Sequence, residues 1–265
     1  MKSILLLFLF VSFHLNAQEF ELVSSAEFNA TTLVGIDSYK NVYSLKDMVL
    51  YKKGPDGSFT YNDFQLGNLS SVDIINPLKI VLFYQDTNTV LLLDNKLNLI
   101  ERITFNTLSE FFNISNATNA GNSKLWVFNV DSQQLELYNY ITNEKTIVSQ
   151  PFAGKLISQA SNFNYCFILT ENKLRKFNRY GSLISEFPMT GYEKIIHHNK
   201  NTIALKENEL FLVVNDQLNS ENLTVKPINI TLSENSIKDL YLTDDFLYIY
   251  DGKKLHTFSY KSSKQ

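Results

Sequence analysis

The chain has one cysteine and four histidines in 265 residues. A lone cysteine excludes an internal disulfide, and so few soft ligands leave little for a zinc site built on cysteine and histidine. Cys166 sits among Tyr165, Phe167 and Ile168, the surroundings of a small buried hydrophobe. His197 and His198 are adjacent at the end of a short strand and so point to opposite faces, and His256 belongs to another part of the chain. Only nine glycines occur, and none form a Gly-rich phosphate loop or a G-x-S-x-G elbow. No D-x-D-x-D run offers a calcium loop. Basic residues are also in deficit, 24 against 27 acidic, for a net charge of −3. That excludes the basic face a nucleic-acid partner requires. Beyond the first residues, no run approaches the roughly 20 apolar residues of a membrane helix, so no transmembrane segment is expected after the leader. No catalytic residue, bound metal or cofactor is expected from these residues.

The first residues are a different matter. Lys2, the apolar run Ile4 to Phe13, and Leu15-Asn16-Ala17 before Gln18 have the form of a cleavable secretory signal. The expected organisation is a leader over 1–17 and one domain over 18–265. No cysteine stands near the cleavage point to carry a lipid, so the mature protein is expected in the periplasm or outside the cell.

What the sequence has in quantity is aromatic and β-branched residues in a repeat. The hydrophobic fraction is 44%, with 20 Phe and 14 Tyr, enough for a sizeable core. A β-rich stretch, an acidic turn and a second β-rich stretch recur about every 40 residues, the length of a four-stranded propeller blade. The acids of these turns are Asp47, Asp86, Asp131, Glu171, Glu207 and Asp251. In the second repeat, strands are read at Val72 to Ile75, Ile80 to Tyr84, Val90 to Leu93 and Leu99 to Phe105, with turns at Asn76-Pro77, Asp86-Thr87-Asn88 and Asp94-Asn95-Lys96. The fourth repeat follows the same plan, and Leu99-Ile100-Glu101-Arg102-Ile103 and Leu183-Ile184-Ser185-Glu186-Phe187 share a Leu-Ile-x-x-apolar pattern. Middle strands such as Ile80 to Tyr84 are continuously apolar, whereas outer strands mix in charge, as expected of stacked blades. The sixth repeat stops one strand short, and Phe20 to Val23 offers a spare strand. The expectation is an all-β, six-bladed β-propeller whose N-terminal strand completes the last blade and removes an open edge. Five or seven blades are the rival count, because the third repeat is irregular around Asn106 to Asn122; a sandwich of many short strands is the rival architecture.

The run from Ile36-Asp37 through Asn41-Val42-Tyr43 resembles the blades of six-bladed propellers of the NHL or YVTN type. The stretch from Asp73 through Tyr84, followed by Leu91-Leu92-Leu93-Asp94, is similar to an uncharacterised exported propeller family of Bacteroidota. That resemblance implies an envelope location and brings no catalytic residues with it.

Turns between second and third strands lie at the same end of a propeller as the connections between blades. The six acids would therefore form a rim able to attract a cation or a basic partner; equally, acids suit turns because they bond the local backbone. Phe111 and Phe112, in the longest inter-blade segment, are candidate anchors for a protein or glycan, or else plugs between blades. Asp37, Asn76, Asn119 and Asp239 could line the channel, though no pattern singles them out. The leading expectation is a non-catalytic protein-binding or scaffold module with an envelope protein partner and no assigned small-molecule ligand. The alternatives are a metal-dependent lactonase-like hydrolase with its site in the channel, and an envelope glycan-binding module.

Overall fold

The computed structural model describes residues 20–260 apart from 56, 216–222, 231 and 233–235. The expected leader, 1–17, lies outside the described residues. The chain forms six four-stranded antiparallel sheets. Blade 1 holds β2 (Thr32–Ile36), β3 (Val42–Lys46), β4 (Val49–Gly54) and β5 (Gly57–Tyr61). Blade 2 holds β6 (Ser71–Asp73), β7 (Ile80–Tyr84), β8 (Thr89–Leu93) and β9 (Leu99–Thr104). Blade 3 holds β10 (Ile114–Gly121), β11 (Lys124–Asn129), β12 (Gln134–Asn139) and β13 (Glu144–Ile147). Blade 4 holds β14 (Leu156–Ser161), β15 (Tyr165–Thr170), β16 (Lys173–Asn178) and β17 (Leu183–Pro188). Blade 5 holds β18 (Lys194–His198), β19 (Asn201–Lys206), β20 (Glu209–Asn215) and β21 (Leu223–Ile228). Blade 6 holds β22 (Asp239–Leu242), β23 (Phe246–Tyr250) and β24 (Lys254–Tyr260), with β1 (Phe20–Glu27) as its outermost strand. The architecture is a six-bladed β-propeller.

The N-terminal strand closes the ring as expected. It pairs with β24 from Phe20↔Tyr260 to Glu27↔Lys254 with a bulge at Val23, and the Phe20 and Tyr260 rings stack at 5.5 Å. Side chains contribute little more, because every β1 residue after Phe20 is exposed. By contrast, every residue of β7 and β8 is buried, since a middle strand meets a neighbouring sheet on each face.

Among the described residues, apolar clusters seal five of the six seams between blades. The seam between blades 1 and 2 is typical, with Tyr43 and Leu50 facing Ile80, Leu82 and Leu91. The sixth seam, where blade 6 meets blade 1, is built from polar and aromatic contacts. The Leu33 N–H donates to Asp239 Oδ2 at 3.0 Å, and the Tyr250 hydroxyl donates to the Ala30 carbonyl at 2.6 Å. The Tyr241 ring is seated on Gly35, so close that a Cβ there would stand 2.2 Å from the ring. Only glycine admits that approach.

Blade 2 has the four expected strands with two adjustments. β6 stops at Asp73, and Asp73 Oδ1 accepts the Ile75 N–H, so the chain is already turning where a strand was expected. Phe105 leaves β9 for a 3₁₀ turn, Phe105–Thr107. The Leu-Ile-x-x-apolar pattern has a structural meaning: in both copies the ladder skips the isoleucine, leaving Ile100 and Ile184 in β-bulges of the outer strands.

Candidate functional site

One end of the ring carries the connections between blades together with the turns between each second and third strand. All six predicted acids fall there. In the β3–β4 and β19–β20 turns, Asp47-Met48 and Glu207-Asn208 both adopt left-handed backbone, with φ of 51° and 66° and of 50° and 66°. Tight hairpins demand such pairs, and they leave both acids exposed. Asp86, Asp131 and Glu171 are exposed as well. Asp131 is also structural, since its Oδ2 accepts the Asn113 N–H at 2.9 Å and so fixes the chain just before β10.

Asp251 departs from this rim. It is buried, its Oδ1 accepts the N–H groups of Lys253 at 2.8 Å and Lys254 at 2.6 Å, and its Oδ2 lies 3.1 Å from His256 Nε2. The β23–β24 turn folds its acid inward to satisfy its own backbone, so Asp251 is not a surface group. Phe112 is corrected in the same way. It is 2% exposed and packs edge-on against Phe105 at 5.1 Å, plugging the seam between blades 2 and 3, with Lys145 over its ring at 4.8 Å. Phe111, one residue earlier, is 57% exposed.

A second large aromatic, not among the expected site residues, is exposed at this end of the ring. Phe64, in the connection from β5 to β6, is 63% exposed. It sits in a 3₁₀ turn, Phe64–Leu66, whose cap Asp63 accepts the Gln65 N–H at 3.1 Å, while buried Leu66 pins the turn to the blade. Arg102 pairs with Asp63. Gly67, at φ 83°, then turns the chain against the Asp86 side chain. The signal in the sequence is a capping aspartate ahead of Phe-x-Leu in an inter-blade segment.

The β7–β8 turn lies between the two aromatic connections and binds both. Thr87 Oγ1 donates to the Leu66 carbonyl at 3.4 Å; Asn88 Nδ2 donates to Asn106 Oδ1 and to the Phe112 carbonyl, each at 2.9 Å. Phe64 and Phe111 thus stand on two connections tied to the one turn that carries Asp86, at the loop-bearing end of blade 2; beside the aromatics, Asp63 is paired with Arg102 and Glu110 lies 3.4 Å from Lys145.

The channel wall is organised differently. Inner strands are sewn together by polar groups: the Asn119 N–H donates to Asp73 Oδ2 at 2.6 Å, Ser161 bonds Thr118 at 2.6 Å, the Ile195 N–H donates to Ser158 at 3.1 Å, and Lys194 lies 3.4 Å from Asp239. Burial pushes the Asp73 carboxyl up to about 6 against the pull of the Asn119 and Ile75 N–H groups. Burial, then the Lys176 and His198 charges, pushes His197 down to about 4. Burial and the nearby Asp73 and Asp37 hold the Tyr241 phenol well above its usual range. The four candidate channel residues are not brought together. Asp37 is engaged by Asn41 and Tyr43 within the β2–β3 turn, Asn76 caps Leu78, and Asn119 and Asp239 sit toward opposite ends of their strands. Among the described residues, no group of three or more His, Cys, Asp or Glu is placed to share a metal ion.

The class these observations define is the six-bladed β-propeller, and the chain is similar in fold to solved structures of propeller proteins. Virginiamycin B lyase from Staphylococcus aureus matches with a TM-score of 0.63 at 11% identity, covering 91% of this chain and 99% of the lyase. BamB from Moraxella catarrhalis matches at 0.53 and 10% identity, covering 91% of this chain and 99% of BamB. PorZ of Porphyromonas gingivalis, a surface component of the type-IX secretion system, matches at 0.51 and 15% identity, over 85% of this chain and 31% of PorZ. At such identities the likeness establishes the fold alone. By sequence, no protein-family model and no curated protein matches the chain.

Proposed function

We propose that the protein is an exported, non-catalytic propeller that binds a basic protein partner in the bacterial cell envelope through its loop-bearing end. The observation that carries this reading is that Phe64 and Phe111, both large and both more than half exposed, stand on the two connections tied to the Asp86 turn. Exposed aromatics ringed by polar groups are the usual anchors of protein interfaces, and the exposed turn acids Asp47, Asp86, Asp131, Glu171 and Glu207 at the same end favour a partner of opposite charge. The leader over 1–17 supports export, and the likeness to PorZ, a bacterial surface component, agrees with an envelope setting.

The test is capture from envelope extract by the mature chain and by its Phe64→Ala/Phe111→Ala variant. Removing two anchors should weaken capture of a saturable basic partner by about tenfold or more, with Tm unchanged because neither ring is in the core. Equal capture by both proteins would overturn the reading.

A further inference from the structure

A propeller has one exposed strand edge per blade, and five of the six outermost strands here carry devices that discourage strand pairing. β1 has a bulge and Glu21 and Glu27. β9 has a bulge with Glu101 and Arg102. β13 is only four residues long and holds Glu144 and Lys145. β17 combines a bulge, Glu186 and Pro188, and β21 carries Lys226 and Pro227. β5 is the exception. Its sequence, Gly57-Ser58-Phe59-Thr60-Tyr61, has no charge and no proline, and its register with β4 is unbroken from Leu50↔Tyr61 to Gly54↔Gly57. No strand runs along its outer side, and among the described residues no backbone hydrogen bond outside the β4 ladder reaches it.

The direction of β5 matters as much as its bare edge. It runs toward the loop-bearing end, and three residues past its last residue stands Phe64, with Asp63 before it. A strand laid along β5 would reach the loop-bearing end beside Phe64.

We propose that β5 is a strand-addition site, on which an extended segment of the basic partner pairs as a fifth strand of blade 1. This rests on the reading above and adds how the partner is held: main-chain hydrogen bonds along β5, then aromatic and charge contacts at its end. A second copy of this chain paired in parallel is the poorer occupant, because two parallel β5 edges would bring two acidic rims together; antiparallel self-pairing, which sets the rims at opposite ends, is an outcome of the test.

A synthetic peptide of alternating threonine and arginine is the probe, used with the mature chain. Amide exchange of Ser58 to Tyr61 should slow on adding peptide, and N-methylation of alternate peptide bonds should weaken binding by about tenfold or more. Proline is then placed in turn at Ser58 and at Phe59, neighbours whose N–H groups point to opposite edges of the strand. One variant should keep its Tm and lose the peptide; the other breaks the β4 ladder and loses Tm. The inference is overturned if the peptide does not bind, if protection falls on another outer strand, if the variant of native Tm binds normally, or if β5 mediates only self-association. Should β5 be protected while Phe64→Ala/Phe111→Ala leaves capture intact, the strand site stands and the aromatic reading fails. The reverse result separates them the other way.

Discussion

The two seams that flank blade 1 are made by opposite means. Toward blade 2, Tyr43 and Leu50 meet Ile80, Leu82 and Leu91 in a continuous apolar layer. Toward blade 6, Asp239 bonds a backbone N–H, Tyr250 bonds a carbonyl, and Tyr241 lies on a glycine. The first seam joins blades that follow one another in the chain, whereas the second joins the chain's two ends. Apolar packing tolerates small misalignment because it is non-directional. Directed hydrogen bonds and a ring seated on Gly35 admit only one register, which is what a closing seam must specify.

The largest loss of stability is expected at the apolar seam. Leu82→Ala should cost about 2–5 kcal/mol in chemical denaturation, the range for a buried leucine in a layer that cannot collapse; a loss under about 1 kcal/mol would mean the seam repacks. At the polar half, Gly35→Ala should cost roughly 1–3 kcal/mol by forcing the Tyr241 ring off its seat. Tyr241→Ala should then recover part of that loss in the double variant, and strict additivity would show that the ring contact is not what makes Gly35 necessary.

The smallest effect is electrostatic and sits where blade 2 meets the channel. Because the folded protein holds the Asp73 proton up to about 6 against the ordinary 3.8, it takes up a proton that the unfolded chain still lacks as pH falls from 6 to 4. The Asp73 contribution therefore makes the fold more stable toward pH 4 and less stable toward pH 6, with a flat penalty above that. Allowing for solvent in the channel, the change is roughly 1–2 kcal/mol. Asp73→Asn should flatten stability between pH 4 and 6; an unchanged slope would place its source elsewhere.

Much of this was legible beforehand. Asn76-Pro77 and Asp94-Asn95-Lys96 marked true turns, and Ile80 to Tyr84 was a fully buried middle strand, because turn chemistry and apolar runs act locally. The Leu-Ile repeat was visible as a pattern, while its meaning as a bulge needed the ladder. Phe111 and Phe112 could not be told apart by type, and only the position of Phe105 and Tyr138 decided that one is a plug and the other a surface ring. Asp251 was indistinguishable from the other turn acids until its hydrogen bonds to Lys253, Lys254 and His256 were seen.

By itself, then, the sequence determined the strands, their grouping in fours and the return of the N-terminus to the last blade, since each follows from periodicity and turns a few residues long. Tertiary structure alone decided which aromatics reach solvent, which acid turns inward and which strand edge is left bare. Those depend on side chains from blades tens of residues apart, and on what each finds when the ring closes.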